Sequence, residues 1–211
     1  MIKQRSIPRL VTEMRTDDFE QYCDLLIVPH RPAPVIVAVD GAIVLKPMRF
    51  SLIPQWSKDA KPKFATHNAR LESIAEKPTW KDAFQKRHCL VPLTHFIEPI
   101  YEGEYAGFMV AFHQNGGDYL LAAGIWEEWT NRDTGEVIES FSIITGEPPK
   151  FIADVGHDRG PIFLPDMAQE EWLTLNESPA SMVEFLTSNR IHTDYMVEKF
   201  RPMRPGWEKR K

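Results

Sequence analysis

Apolar positions along the chain switch between two spacings, and the switch sets out most of the elements. Val35-Ile36-Val37-Ala38-Val39 is a short β-rich run, Asp40-Gly41 follows, and Ala42-Ile43-Val44-Leu45 returns. Two such runs across an Asp-Gly pair predict a hairpin. Strand character resumes from Met48 to Ile53 and ends at Pro54. It returns in Cys89–Pro92, Phe96-Ile97, Tyr105–His113, Tyr119–Trp126 and Val137–Thr145, with turns at Asn115-Gly116-Gly117 and Asp133-Thr134-Gly135. Helical spacing appears elsewhere. Leu10, Val11, Met14, Phe19, Tyr22 and Leu26 predict a helix within 10–26, with Thr16 or Asp17 as its cap. Thr79–Lys86 puts Trp80, Ala83 and Phe84 on one side, and Met167–Leu173 and Pro179–Leu186 read as two more helices. Residues 55–67 are polar and Lys-rich, hence a loop. Residues 68–75 fit a strand or a short helix, and the tail from Phe200 reads as irregular. The sum is an α+β fold with a largely antiparallel β core and surrounding helices.

Composition narrows the class. The chain has 211 residues, 43% hydrophobic and 26% charged, which is ordinary for a globular protein and suits a single domain over 1–211. No apolar run approaches the roughly 20 residues that span a bilayer, and no apolar segment follows the basic start as in a secretory signal. Cys23 and Cys89 lie in apolar company and read as buried structural thiols of a reducing cytosol, so a cytoplasmic monomer is expected. Phosphate-cradling glycine loops are absent, and the His and Cys residues lack ligand spacing, so neither a cofactor nor a metal is expected.

The net charge of −5 is unevenly spread. Residues 46–88 carry net +6, residues 89–198 net −15, and residues 199–211 net +5. A basic face on an acidic body is one reading, and a set of solvated faces is the other.

From Lys46 onward the chain resembles the SOS response-associated peptidase (SRAP) family. Met48-Arg49-Phe50-Ser51-Leu52-Ile53-Pro54-Gln55-Trp56-Ser57-Lys58-Asp59 resembles the family stretch Met-Arg-Trp-Gly-Leu-Ile-Pro-Ser-Trp-Ala-Lys-Asp. Asn68-Ala69-Arg70-Leu71-Glu72 with Glu76-Lys77-Pro78 resembles its Asn-Ala-Arg-x-Glu-x-x-x-Glu-Lys-Pro. Arg87-His88-Cys89-Leu90-Val91-Pro92, Phe96-Ile97-Glu98, Ala123-Gly124-Ile125-Trp126-Glu127, Phe141–Thr145 and His157–Ile162 follow its later blocks in order. The resemblance runs from about residue 29 to about residue 173, with 1–28 a divergent N-terminal segment and 199–211 a basic tail.

The resemblance implies a barrel-like fold and the recognition, covalent processing or shielding of abasic sites in single-stranded DNA during the DNA damage response. It also implies autopeptidase, crosslinking or lyase-type activity. The family's Met-Cys start supplies an α-amine and a thiol that condense with the ring-opened sugar aldehyde. This chain begins Met1-Ile2. Three readings follow: a start upstream of Met1, a single-stranded-DNA-binding module without crosslinking chemistry, or a reversible Schiff base on the Met1 amine.

By the same resemblance, Asn68, Glu98 and His157 are the catalytic candidates. Asn68 offers an amide to the sugar or the attacking amine. Glu98 stands in an apolar run whose burial is expected to raise its pKa into a useful range. His157 offers a proton near neutral pH, with Asp158 as a candidate to orient it. Arg70 and Arg159 are candidate phosphate clamps, and Trp56 is either a base-stacking platform or a packed core residue.

Overall fold

The computed structural model describes residues 8–16, 26–114, 119–191 and 195–210. Cys23, the Asn115-Gly116-Gly117 turn and the middle of the expected 10–26 helix lie outside them. Strands β1 (Glu13–Met14), β2 (Pro32–Val39), β3 (Ala42–Phe50), β5 (His88–Leu93), β8 (Leu120–Thr130) and β9 (Val137–Gly146) belong to one sheet, with β4 (Asn68–Arg70) and β10 (Gly160–Pro161) paired to β9. The order β3-β2-β5-β8-β9 is closed by pairing of β9 back to β3, Arg49 opposite Ser140 and Phe50 opposite Phe141. The result is a five-stranded barrel-like sheet. Most ladders are antiparallel; β1 on β3, β3 on β9 and β4 on β9 are parallel. A second, three-stranded sheet is ordered β11-β7-β6, from β6 (His95–Ile100), β7 (Phe108–Gln114) and β11 (Tyr195–Pro202).

Alternation along the barrel strands divides the core in two. Ile36, Leu45, Leu90, Leu121, Ala123 and Ile144 point to one face. They pack against α1 (Lys81–Lys86), α3 (Asp166–Thr174) and α4 (Pro179–Asn189) through Phe84, Trp172 and Leu186. Val35, Val44, Cys89, Val91, Ala122 and Phe141 point to the other face. There they meet Phe96, Val110, Phe112 and Tyr195 of the three-stranded sheet. Cys89 is fully buried, which pushes its thiol pKa well above the ordinary range and leaves it no nucleophilic character.

The hairpin forms as its sequence dictates: Asp40 and Gly41 take φ of 51° and 80°, the primed turn that matches strand twist. Several elements differ from expectation. The stretch 10–16 is not helical; Glu13–Met14 is a strand, held by Thr12 N donating to Ile43 O and Arg15 N donating to Leu45 O. The free edge of β3 wins over helical spacing there, since propensity is a weak prior against a ready ladder. Residues 68–75 contain both candidate structures, β4 and then a 3-10 turn at Leu71–Ser73. The tail is not wholly irregular, for Tyr195–Pro202 pairs with β7 and Trp207–Arg210 forms a 3-10 turn. Helix α2 (Lys150–Val155) had no counterpart in the sequence pattern.

β3 stops at Ser51, which takes φ of 91° and is buried with its hydroxyl unpaired. Its amide donates to Phe141 O at 3.0 Å, so the closing contact with β9 fixes this backbone. The resembling family motif carries glycine here. A left-handed non-glycine residue costs about 1–2 kcal/mol, while glycine costs about 0.4–1 kcal/mol in the unfolded chain. Ser51→Gly is therefore expected to stabilise the fold by about 1 kcal/mol, read as a Tm rise of about 2–4 °C by calorimetry; a lowered Tm contradicts the strain assignment.

Candidate functional site

A cavity of about 480 Å³ lies between the barrel and the three-stranded sheet. Its barrel side includes Phe50, His67, Asn68, Phe141 and Ile143; its other side includes His95, Phe96, Glu98 and Met109. Asn68 arrives because β4 runs parallel to β9 in register, Asn68 opposite Ile143, with Ile143 N donating to His67 O at 2.9 Å. Glu98 sits on β6 opposite Val110. Phe96 and Ile100, which flank it on the same strand face, are buried in the core.

Glu98 Oε2 is 3.5 Å from His157 Nε2. That separation is long for a hydrogen bond and within ion-pair range, as is common for catalytic pairs before a ligand tightens them. His157 follows α2, which ends at Gly156 with φ of 104°, the left-handed cap that glycine allows. A Cβ at Gly156 would lie 2.8 Å from the backbone oxygen of Glu102, so the approach admits no larger residue. The imidazole Nδ1 is 2.9 Å from the Arg159 carbonyl oxygen and 3.2 Å from its amide nitrogen. Arg159's backbone, not Asp158, orients the ring. Whichever ring nitrogen carries the proton, Nε2 faces Glu98, so one proton can be held between the two groups.

Burial pushes the Glu98 pKa above the ordinary carboxylate value; His157 opposes this and Asp158 adds to it. Burial also lowers the pKa of His67, with a further contribution from His30, and that of His95, with one from neighbouring His113. Neutral imidazoles and a reluctantly ionised carboxyl thus face the same space.

Asn68 and Glu98 line the same cavity, and His157 lies against Glu98. The other three candidates are distributed around them. Arg159 Nη1 lies 3.1 and 3.3 Å from the carboxylate oxygens of Glu72, so its charge is already met within the chain. Arg70 is exposed on β4 and makes no ion pair among the described residues. Trp56 is exposed rather than packed in the core. Its ring stacks on exposed Phe64 at 6.2 Å and 24°, and its Nε1 donates to Pro78 O at 3.2 Å. The loop beneath is pinned by Gln55 Nε2 donating to Glu127 at 3.0 Å and Trp129 Nε1 donating to Ser57 O at 2.8 Å. Phe64 was missed in the sequence. The available signal was a large apolar side chain isolated in the Lys-rich run 55–67.

A family model for SOS response associated peptidase (SRAP) matches residues 3–199. The chain belongs to the SRAP family. Curated SRAP-like relatives include the abasic site processing protein YoqW of Bacillus subtilis, 31% identical over 126 residues, covering 60% of this chain and 55% of the relative. YoaM of Bacillus subtilis is 32% identical over 133 residues, covering 63% and 58%. HMCES of Xenopus tropicalis, also titled an abasic site processing protein, is 29% identical over 157 residues, covering 64% and 47%. The chain thus spans about half the length of these relatives. A solved protein from Bacteroides thetaiotaomicron superposes with TM-score 0.65 at 26% identity, over 85% of this chain and 77% of that one. A Bordetella bronchiseptica protein gives 0.67 at 22% identity, over 84% and 86%, and bears on the fold alone.

The raised pKa of Glu98 has a measurable sign. Ionising it costs more in the folded than in the unfolded chain, so its contribution to stability is present below the ordinary carboxylate pKa and lost as pH rises through the raised value. Glu98→Gln removes that loss. The variant is expected to melt above the wild type at pH 7, with the difference closing by pH 4 in paired thermal scans. An unchanged gap across that range contradicts the assignment.

Proposed function

We propose that this chain recognises abasic sites in single-stranded DNA as a cytoplasmic monomer. The base-less sugar enters the cavity between β4 and β6. The observation that carries this reading is that Glu98 and Asn68 line one cavity, with His157 3.5 Å from Glu98. A ring-opened abasic sugar presents an aldehyde and hydroxyls. A carboxyl held toward its protonated form donates to the carbonyl oxygen, an imidazole takes or returns the proton, and the Asn68 amide fixes a hydroxyl. The Trp56–Phe64 stack supplies an aromatic face for a neighbouring base, and the basic share of residues 46–88 attracts the backbone. Similarity to relatives named abasic site processing proteins supports the same substrate.

A second reading, binding without crosslinking, is favoured by one observation. Among the described residues, those lining the cavity include neither lysine nor cysteine, and Cys89 is buried elsewhere. Intact mass after incubation with an abasic-site oligonucleotide separates the readings. An adduct stable without reductant means a thiol and an amine act together; an adduct seen only after borohydride means an amine alone. No adduct with salt-dependent binding retained means recognition only. Failure to bind single-stranded DNA refutes the proposal.

Trp56→Ala and Phe64→Ala are each expected to weaken binding of abasic single-stranded DNA by 1–3 kcal/mol, the scale of one base stacked on an aromatic ring. Fluorescence anisotropy provides the measurement. Equal affinities for wild type and both variants would remove the stacking role.

A further inference from the structure

Beside the cavity, a turn bends back on the end of β3 and places two cationic-type side chains together. Arg31 N donates to Val28 O at 3.1 Å, His30 N donates to Phe50 O at 2.7 Å and Phe50 N donates to Arg31 O at 2.8 Å. Within this bracket His30 takes φ of 72°, one of three non-glycine residues with positive φ among the described residues. Strain of this kind persists where the surroundings over-determine it and clusters at ligand clamps. Its effect is to bring the imidazole over Arg49, with Arg49 Nη2 3.2 Å from His30 Nδ1.

A guanidinium only donates, so His30 Nδ1 accepts and the ring's proton sits on Nε2. Burial and the neighbouring charges of Arg49 and Lys61 hold the His30 pKa below its ordinary value, which keeps the acceptor available. Arg49 is half-buried, and its Nε is shielded with no hydrogen-bond partner. It forms no ion pair with a carboxylate among the described residues, unlike Arg87 with Glu127 or Arg159 with Glu72. Its cross-strand neighbours on β2 and β9 are Pro32 and Ser140, and neither supplies an anion. A partly desolvated arginine beside an imidazole N–H, with Lys61 close by, offers donors and, among the described residues, no compensating anion. Pro29 and Phe50, the chain neighbours of His30 and Arg49, line the cavity; His67 meets Phe50 edge-on at 5.9 Å.

We propose that Arg49 and His30 form a phosphate subsite at the cavity mouth, holding a backbone phosphodiester that flanks the abasic sugar. This rests on the proposed function for its DNA source. The donors are an Arg49 guanidinium edge and His30 Nε2–H. The subsite is distinct from Arg70, Arg159 and the Trp56–Phe64 face.

A phosphate walk tests it. Single-stranded oligonucleotides with one central abasic analogue carry a neutral methylphosphonate at each linkage in turn. Wild type is expected to lose about tenfold or more in affinity at one linkage next to the abasic position, as for a charge-assisted hydrogen bond. Arg49→Gln is expected to lose a similar factor on the all-phosphodiester strand, and nothing further at that linkage. Its slope of log affinity against log salt should fall by about 0.7. Arg49→Lys, which keeps the charge without the fork, should fall between. If Arg49→Gln does not fold, exposed His30→Gln replaces it, with a smaller loss at the same linkage.

Unchanged affinity in Arg49→Gln, or undiminished sensitivity to every methylphosphonate, overturns the subsite. If wild type binds no oligonucleotide, the proposed function fails instead. Inorganic phosphate then decides the subsite alone through the ring nitrogen signals of His30 in NMR titration. A saturable shift in wild type that is lost in Arg49→Gln upholds it, and no shift overturns it.

Discussion

The fold depends on β9 as its closing strand. β9 pairs with β8 and then β10 along one edge, and on the other it meets β3, then β4. Only two residues of β3 take part, Arg49 and Phe50, and the contact closes the barrel. It also forces the chain to leave β3 through the left-handed Ser51, since the amide of that residue is taken by Phe141 O. The neighbouring length of β9 then receives β4 and sets Asn68 in register at the cavity wall. Beyond β9, the chain forms α2 and the turn that delivers His157 before β10 rejoins the strand. One strand thus places two of the three chemistry-bearing side chains, and the same hydrogen bonds that close the barrel fix their positions.

Glu98 comes from the other sheet, and its electrostatics follow from that origin. β6 turns Phe96 and Ile100 toward the core, and Glu98 shares their face. A carboxyl in such company keeps its proton more readily than one in water. His157 opposes this at 3.5 Å, a distance that leaves the pair loose. Asp158 also acts against ionisation. The carboxyl therefore ionises less readily than one in water, with an imidazole nitrogen within ion-pair range of it.

How much of this could be read from the sequence varied with the range of the cause. The hairpin at Asp40-Gly41 and the helices α1, α3 and α4 carry local signals in turn chemistry, capping and apolar spacing, and they form where those signals place them. The six residues of α2 carry no apolar period long enough to register. β11 exposes Met196, Glu198 and Phe200 and buries Tyr195, a weak alternation lost in a basic tail. β1 is a strand only because β3 offers an edge, and no local pattern encodes that edge. Glu98 was legible as a buried acid because its neighbours are apolar. Its pairing with His157 was not, since it depends on two sheets meeting and on Gly156 ending a short helix. The resemblance in family blocks supplied the three catalytic candidates; the geometry added Phe64 and showed Arg159 already occupied by Glu72.

Among the described residues, no ladder joins the barrel to the three-stranded sheet. The cavity is a seam between two separately hydrogen-bonded bodies, held across by side-chain packing such as Phe96 against Phe163 at 6.1 Å. Its aperture is therefore set by the volumes of a few apolar side chains and not by backbone register. Substitution at those positions can widen or narrow the opening while both sheets keep their pairing. In a lineage built this way, the size of an admitted ligand can drift independently of the scaffold that holds the acid and the base.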